Sequence, residues 1–199
     1  MIYTSKGAPM SSVASRLVRV ARRGSGMSQR ALADRARVSG SAVADVERSA
    51  HDPGSVSLER LLEAAGHRLC SLPTTSTPVA QWADVIYREQ RSARASSAVA
   101  FRALIGLSDE LAAATPPLRV ALCVAAPAPC DDPRYDAAIA GLVEHHLARD
   151  RLPVPEWVDE PHRFLEEPWR ASGYTDESEV PPALARHGVW LAEADLASV

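Results

Sequence analysis

The sequence predicts a mainly α fold in two parts, an N-terminal domain of four to five helices and a mostly helical C-terminal region with possible short strands. Apolar residues recur at intervals of three and four in most segments, which is the spacing of one helix face. Serines and glycines stand where these segments begin and end, as capping residues do. A run rich in Pro and Thr at 73–78 separates the two parts. We therefore predict a first domain at 1–72, a helical packing or dimerisation region at 73–130 and a last region at 131–199.

The first and fourth helices are predicted to enclose the N-terminal domain. Ser11 or Ser12 can cap the first helix, which ends in the segment 22–26. Its inward residues by spacing are Val13, Leu17, Val20 and Ala21. The fourth helix ends at Gly66, and its inward residues are Leu58, Leu61, Leu62 and Ala65. With the two helices between them, these segments can close one small core.

Two short helices joined by a tight turn lie in the middle of this domain. Ser28 can cap the first of them, and Ser39 can cap the second after the turn at 37–39. The inward residues of the pair are Leu32, Ala36, Val43 and Val46. The outward residues of the second helix of this pair, which is the third helix of the domain, are Gly40, Ser41, Ala42, Ala44, Asp45 and Arg48. Two helices joined in this way offer one helix to the major groove of DNA.

Charge is unevenly distributed along the chain. Residues 1–70 carry 11 Lys or Arg against 6 Asp or Glu, a net charge of +5, while residues 71–199 carry 11 against 19, a net charge of −8. Basic residues bind polyanions by releasing counterions from phosphates, and an acidic region is repelled by them. The charge pattern therefore indicates that double-stranded DNA, if it is the partner, meets the N-terminal third.

The same third resembles the Cro/repressor-type (Xre) helix-turn-helix family over residues 14–69. The motifs that carry the resemblance are Met27-Ser28-Gln29, Leu32-Ala33, Val38-Ser39, Val43, Val46-Glu47-Arg48 and Leu58-Glu59-Arg60-Leu61-Leu62. The resemblance implies a lambda-repressor-like fold and a mainly structural role for Glu47. It also implies that four residues lie near phosphates, namely Gln29, Arg30, Ser39 and Ser41. The residues that it implies at base edges are Gly40, Ala42, Ala44 and Asp45.

The outward face of the third helix departs from this family pattern. It has small residues and Asp45 where many relatives have Arg, Lys, Gln or Asn. Direct base contacts are therefore expected to be few, and affinity is expected to depend on charge. The arginines on which it would depend are Arg22, Arg23, Arg30, Arg37 and Arg48.

The middle region is predicted to contain two long helices, at 79–94 and 98–114. Their inward residues are Trp82, Val85, Ile86, Phe101, Leu104, Ile105, Leu107 and Leu111. The segment 118–125 fits either a strand or a helix, and 67–72 alternates as a short extended segment does. Since helix-turn-helix proteins commonly bind DNA as dimers, the long helices suggest a homodimer, although helices buried within one chain have the same pattern.

The last region combines aromatic residues with negative charge. A strong helix is marked by Tyr135, Ile139, Leu142, Val143 and Leu147. Residues 131–199 hold 15 acidic and 6 basic groups. The aromatic residues predicted to form a partner-binding face are Trp157, Phe164, Trp169 and Trp190. The alternative interpretation is that these tryptophans build a small core.

This region also resembles the C-terminal region of actinobacterial helix-turn-helix antitoxins that are paired with nucleotidyltransferase-like toxins. The segments that carry the resemblance are His145-His146-Leu147-Ala148, Leu152-Pro153-Val154-Pro155-Glu156-Trp157 and Phe164-Leu165-Glu166-Glu167-Pro168-Trp169. It implies an autorepressing antitoxin that binds operator DNA with one end and a toxin protein with the other.

Other functional classes receive less support from the sequence. His145 and His146 lie beside Glu144 but on different helix faces, and the motifs of common hydrolases and nucleotide-binding enzymes are missing, so no catalytic residue, cofactor or metal is expected. The sequence has no apolar run long enough to cross a membrane, which predicts a cytoplasmic protein. The alternatives to a DNA-binding antitoxin are a one-component regulator that senses a small molecule and a protein-interaction adaptor that binds no DNA.

Overall fold

The computed structural model describes residues 12–91, 97–130, 132–171 and 175–196. The chain divides into two compact units, with the boundary between Thr74 and Thr75. Both units are built from helices, and the prediction of a mainly α fold is confirmed. Within the described ranges no helix combines the length and the apolar character that crossing a membrane requires.

The first unit contains four helices in its described part, α1 (Val13–Gly24), α2 (Gln29–Ala36), α3 (Gly40–Glu47) and α4 (Ser55–Ala64). Three serines cap them as predicted, because each side chain accepts a hydrogen bond from a backbone N–H three residues later. These caps are Ser12, Ser28 and Ser39. Gly66 follows α4 with φ +81°, which glycine adopts without strain. The starts of these helices are therefore set locally.

The core of this unit contains the residues of α2, α3 and α4 that their apolar spacing predicted to face inward. Buried residues from the prediction are Leu32, Ala36, Val43, Val46, Leu61, Leu62 and Ala65. Leu58 is half-buried against them.

The buried face of α1 differs from the prediction. Val13 is 52% exposed, and Leu17 and Val20 are only half-buried. The apolar residues that α1 buries are Ala14, Val18 and Ala21. Ser15 is buried with them because its hydroxyl donates a hydrogen bond to the Glu47 carbonyl oxygen at 2.7 Å. A polar contact with α3 thus sets the rotation of α1, and apolar spacing alone did not identify it.

The second unit has five helices among its described residues, α5 (Val79–Arg91), α6 (Ser97–Ala113), α7 (Pro116–Cys123), α8 (Pro133–Ala148) and α9 (Pro182–Arg186). Its two short strands, β1 (Trp169–Arg170) and β2 (Val189–Trp190), pair in parallel, with Trp169 opposite Val189. Single 3-10 turns lie at 156–159, 161–163, 177–179 and 193–196. The ambiguous segment at 118–125 is mostly helix α7, and the end of the helix predicted at 79–94 lies outside the described residues.

Helix α8 occupies the centre of this unit. Eleven of its 16 residues are buried, and α5, α6, α7 and α9 all pack against it. The predicted inward residues of α8 are all buried, namely Tyr135, Ile139, Leu142, Val143 and Leu147. Residues on both sides of the predicted division at residue 130 contribute to one hydrophobic core within the compact unit that begins at Thr75.

The two long helices mostly bury their predicted faces. The buried members are Ile86, Leu104, Ile105, Leu107 and Leu111, and the half-buried ones are Trp82, Val85 and Phe101. The segment 67–72 forms no strand, and Leu69 and Leu72 are 43% and 49% exposed.

A buried ion pair lies beside α8. Arg163 is fully buried, and its Nη1 donates to Asp136 Oδ1 at 2.7 Å. Asp136 also accepts hydrogen bonds from the Tyr87 hydroxyl at 2.5 Å and from the Cys130 backbone N–H at 2.9 Å. Burial, followed by the charge of Asp136, raises the pKa of Tyr87. This cluster joins α5, α8 and the turn at 161–163 through hydrogen bonds, while the Nε of Arg163 is buried without a hydrogen-bond partner.

A second polar cluster holds the end of α8. The His146 ring is buried, and its Nε2 lies 2.9 Å from the Ser108 hydroxyl. Arg119 donates to the carbonyl oxygens of Leu111 at 2.6 Å and His146 at 3.0 Å. Burial, and then the charges of its neighbours, lowers the pKa of His146 to about 4. His146 is therefore neutral in the folded protein near pH 7.

Candidate nucleic-acid interface

Helices α2 and α3 are the two short helices predicted on either side of the turn at 37–39. The Ser28 hydroxyl accepts from the Ala31 N–H at 3.1 Å, and the Ser39 hydroxyl accepts from the Ala42 N–H at 3.2 Å. Between them Arg37 has φ +56°, a left-handed conformation that ends α2 and redirects the chain. A turn of three residues therefore joins two capped eight-residue helices.

Glu47, at the end of α3, links this pair of helices to α1 through side-chain hydrogen bonds. Its side chain accepts hydrogen bonds from Arg22 Nε at 2.6 Å, Arg22 Nη2 at 3.0 Å and Gln29 Nε2 at 2.8 Å. Burial would raise the pKa of Glu47, but the hydrogen bonds from Arg22 and Gln29 outweigh it and lower the pKa. Glu47 is 4% exposed, so it has a structural role in this unit.

The Glu47 main chain is also bound from α1. Arg19 Nη2 donates to its carbonyl oxygen, alongside the Ser15 hydroxyl. Arg22 Nη1 donates in addition to the Met27 carbonyl oxygen at 2.8 Å, just before α2 begins. Ser15 and Arg19 thus supply donors to a carbonyl oxygen at the carboxyl end of α3, where the last carbonyl groups of a helix have no intrahelical partner. The inward side of α3 is thus fixed by polar groups as well as by the apolar core.

All ten residues predicted to contact DNA keep exposed surface in the structure. The exposed ones are Gln29, Arg30, Arg37, Ser39, Gly40, Ser41 and Arg48. The half-exposed ones are Ala42, Ala44 and Asp45. The structure brings Gln29 into the Glu47 cluster, which orients its amide, and it brings Asp45 and Arg48 together in an ion pair at 2.6 Å.

Sequence reasoning did not identify Ser15 and Arg19 as part of the framework behind α3. Both residues lie in a helix whose apolar spacing indicated a different inward face. Their partner, the Glu47 carbonyl oxygen, is about 30 residues away in the chain, 32 from Ser15 and 28 from Arg19. No local sequence pattern predicts a hydrogen bond between residues so far apart in the chain.

The four aromatic residues predicted to bind a partner have a different environment from the one expected. Trp157 is 6% exposed, and its indole N–H donates to the Cys123 carbonyl oxygen at 2.9 Å. It belongs to the core, because its ring is covered by the surrounding chain. Trp157 therefore lies in the core and does not form part of the predicted partner-binding face.

Each of the other three rings is half-buried and has an arginine over it. Arg134 lies 5.5 Å from the Trp169 ring, Arg170 lies 4.2 Å from the Trp190 ring, and Arg186 lies 5.1 Å from the Phe164 ring. Phe164 also stacks on His187 with 4.5 Å between ring centres. Guanidinium groups bind the faces of aromatic rings and cover part of their apolar surface. Basic side chains thus cover part of the aromatic surface that was predicted to form an acidic partner-binding face.

The histidines and cysteines of the second unit do not form a metal centre within the described residues, where no three His, Cys, Asp or Glu side chains converge suitably. The rings of His145 and His146 lie edge to face with 5.0 Å between centres. Burial raises the pKa of the Cys123 thiol to about 12, which keeps it protonated. Its buried thiol therefore lacks the thiolate character of a reactive cysteine.

Comparisons with known proteins add nothing to this geometry, because no family model, no curated protein and no solved structure matches the chain.

Proposed function

We propose that the chain is a sequence-specific DNA-binding transcriptional regulator that contacts DNA through α2 and α3. The observation that carries the proposal is the combination of two capped helices, a three-residue turn and an outward face on α3 that the unit leaves uncovered. The inward side of α3 is bound through Glu47, so the helix is presented in one orientation. Preorganised helices of this kind suit insertion into the major groove.

The charges around the two helices support the same proposal. Gln29 and Arg30 are exposed at the first turn of α2, where backbone N–H groups and the helix dipole favour phosphate. Arg37 is exposed in the turn. With the net charge of +5 on residues 1–70, these groups supply the electrostatic part of DNA binding. Affinity is then expected to fall steeply as salt is added.

Fluorescence anisotropy tests the proposal directly. The full chain is titrated against labelled DNA from upstream of its own coding sequence and against a scrambled duplex, at two salt concentrations. We expect tighter binding to the upstream DNA. Arg30→Ala is expected to weaken binding to both duplexes and to reduce the slope of log K against log salt by about 1, since one phosphate contact is lost.

The matched control is Arg102→Ala, which removes an exposed arginine from the second unit. It is expected to leave affinity and salt slope unchanged, while circular dichroism shows that both variants are folded. Equal or absent binding of both duplexes by the unaltered chain contradicts the proposal. That result would favour an adaptor that uses the same helices to bind protein.

Autorepression, the homodimer and a nucleotidyltransferase-like toxin as partner remain predictions of the sequence. The arginines over Phe164, Trp169 and Trp190 leave less apolar surface for a partner than the sequence suggested. Our proposal therefore concerns DNA binding alone.

A further inference from the structure

Few side chains on the outward face of α3 can hydrogen-bond to a base. The outward residues without a hydrogen-bonding side chain are Gly40, Ala42 and Ala44. The Ser41 hydroxyl is at the first turn, 3.0 Å from the hydroxyl of the cap Ser39. Asp45 is the sixth of the eight residues of α3, and Arg48 follows just after the end of the helix. Beyond the first turn, any hydrogen bond from α3 itself to a base therefore depends on Asp45.

Arg48 forms an ion pair with the Asp45 carboxylate at the surface of α3. Its Nη2 donates to Asp45 Oδ1 at 2.6 Å, and its Nε donates to the Ala44 carbonyl oxygen at 3.3 Å. The side chains of Asp45 and Arg48 are 41% and 70% exposed. The pair thus reaches solvent, while the guanidinium offsets the repulsion between the carboxylate and DNA phosphates. Because the ion pair uses Oδ1, the lone pairs of Oδ2 can accept a hydrogen bond from a ligand.

We infer that Asp45 determines specificity by selecting cytosine at one position of each bound site, and that Arg48 is its positioning residue; this inference rests on the proposed function. An ionised carboxylate only accepts hydrogen bonds. In the major groove cytosine presents the donor N4–H₂, whereas guanine presents the acceptors N7 and O6 and thymine presents the acceptor O4. Adenine presents a donor beside the acceptor N7, which repels a carboxylate. Cytosine is therefore the base that Asp45 accepts best.

The test measures the base preference of the full chain at every position of its upstream site. Duplexes that carry each single base-pair change compete with a labelled reference, and the unaltered chain is compared with Asp45→Asn and Asp45→Ala. For the unaltered chain we expect one position where cytosine is preferred by roughly tenfold to a hundredfold. Asp45→Asn is expected to move that preference to adenine, which an amide binds through N6 and N7. Asp45→Ala is expected to remove the preference at that position only.

Two further variants separate specificity from general charge and from folding. Glu59→Gln removes one negative charge from an exposed position on α4 and is expected to leave the base profile unchanged. Arg48→Ala is expected to reduce the cytosine preference without moving it to another base, a change that loss of stability alone does not produce. An unchanged profile in Arg48→Ala overturns its positioning role.

The outcomes distinguish the inference from the function on which it rests. Specific, salt-sensitive binding with the same base profile in Asp45→Asn, Asp45→Ala and the unaltered chain overturns the inference and leaves the proposed function standing. Absence of specific DNA binding by the unaltered chain overturns the proposed function and the inference with it.

Discussion

Replacing His146 by glutamine is expected to make the second unit more resistant to acid. The folded protein holds His146 neutral with a pKa of about 4, whereas the unfolded chain has the ordinary value of 6.5. Between these two values the unfolded state binds a proton that the folded state does not. The free energy of unfolding therefore falls as the pH drops below about 6.5 and stops falling from this cause near pH 4.

The size of the effect follows from the two pKa values. Taking one pKa unit as about 1.4 kcal/mol, the full difference corresponds to about 3 kcal/mol, of which about 2 kcal/mol is lost between pH 7.5 and pH 5. Because His146 is 4% exposed, solvent screening reduces this figure little. Glutamine does not titrate, and its amide can replace the ring as a hydrogen-bond partner of Ser108. The variant is expected to lose about 2 kcal/mol less than the unaltered chain over this range.

The assay is urea unfolding followed by tryptophan fluorescence at pH 7.5 and pH 5. All four tryptophans lie in the second unit, so the signal reports that unit alone. His162→Gln is the matched control, because His162 is exposed and its replacement is expected to keep the acid sensitivity of the unaltered chain. The same loss of stability in His146→Gln and in the unaltered chain would refute the argument from burial.

Three further substitutions test the polar clusters and a turn. Glu47→Ala removes half of the buried ion pair behind α3 and is expected to cost about 3 kcal/mol, measured by far-ultraviolet circular dichroism because the first unit has no tryptophan. A loss below 1 kcal/mol would show that the pair is not needed for the unit. Asp136→Ala leaves the guanidinium of Arg163 buried without its carboxylate and is expected to cost about 3 to 5 kcal/mol by tryptophan fluorescence, whereas a neutral effect would contradict the buried pair. Gly188→Ala is expected to cost about 1 to 3 kcal/mol in the same assay, because φ is +74° and the added Cβ lies 3.0 Å from the Leu165 carbonyl oxygen. Unchanged stability in that variant would indicate that the turn relaxes.

Local signals in the sequence were sufficient to place most helices. Ser28 and Ser39 mark the starts of α2 and α3 because capping is a contact between residues three apart. The inward residues of α8 were predicted because their spacing is regular and the helix is buried along most of its length. Such features need no knowledge of distant parts of the chain.

Features that depend on distant partners were not predicted. The rotation of α1 follows from the hydrogen bond between Ser15 and the Glu47 carbonyl oxygen, which hydrophobic spacing cannot indicate. The interior position of Trp157 depends on the Cys123 carbonyl oxygen, 34 residues earlier in the chain. Apolar and aromatic residues look alike in sequence whether they meet their own chain or another protein. The candidate site residues on α2 and α3 could be proposed from pattern, but their ion pairs could not.

The central position of α8 has a consequence for the order in which the chain acquires structure during synthesis. Helix α8 is covered in part by residues that follow it, including Leu184, Val189 and Leu191, which belong to the same core. The ribosome releases the first unit earlier, and the core contacts of that unit end by Ala65. Since domains generally fold as units from the N-terminus onward, the first unit can be complete while α8 still exposes apolar surface. A ribosome that stalls before residue 184 would thus leave a folded first unit attached to an unfinished, aggregation-prone second one.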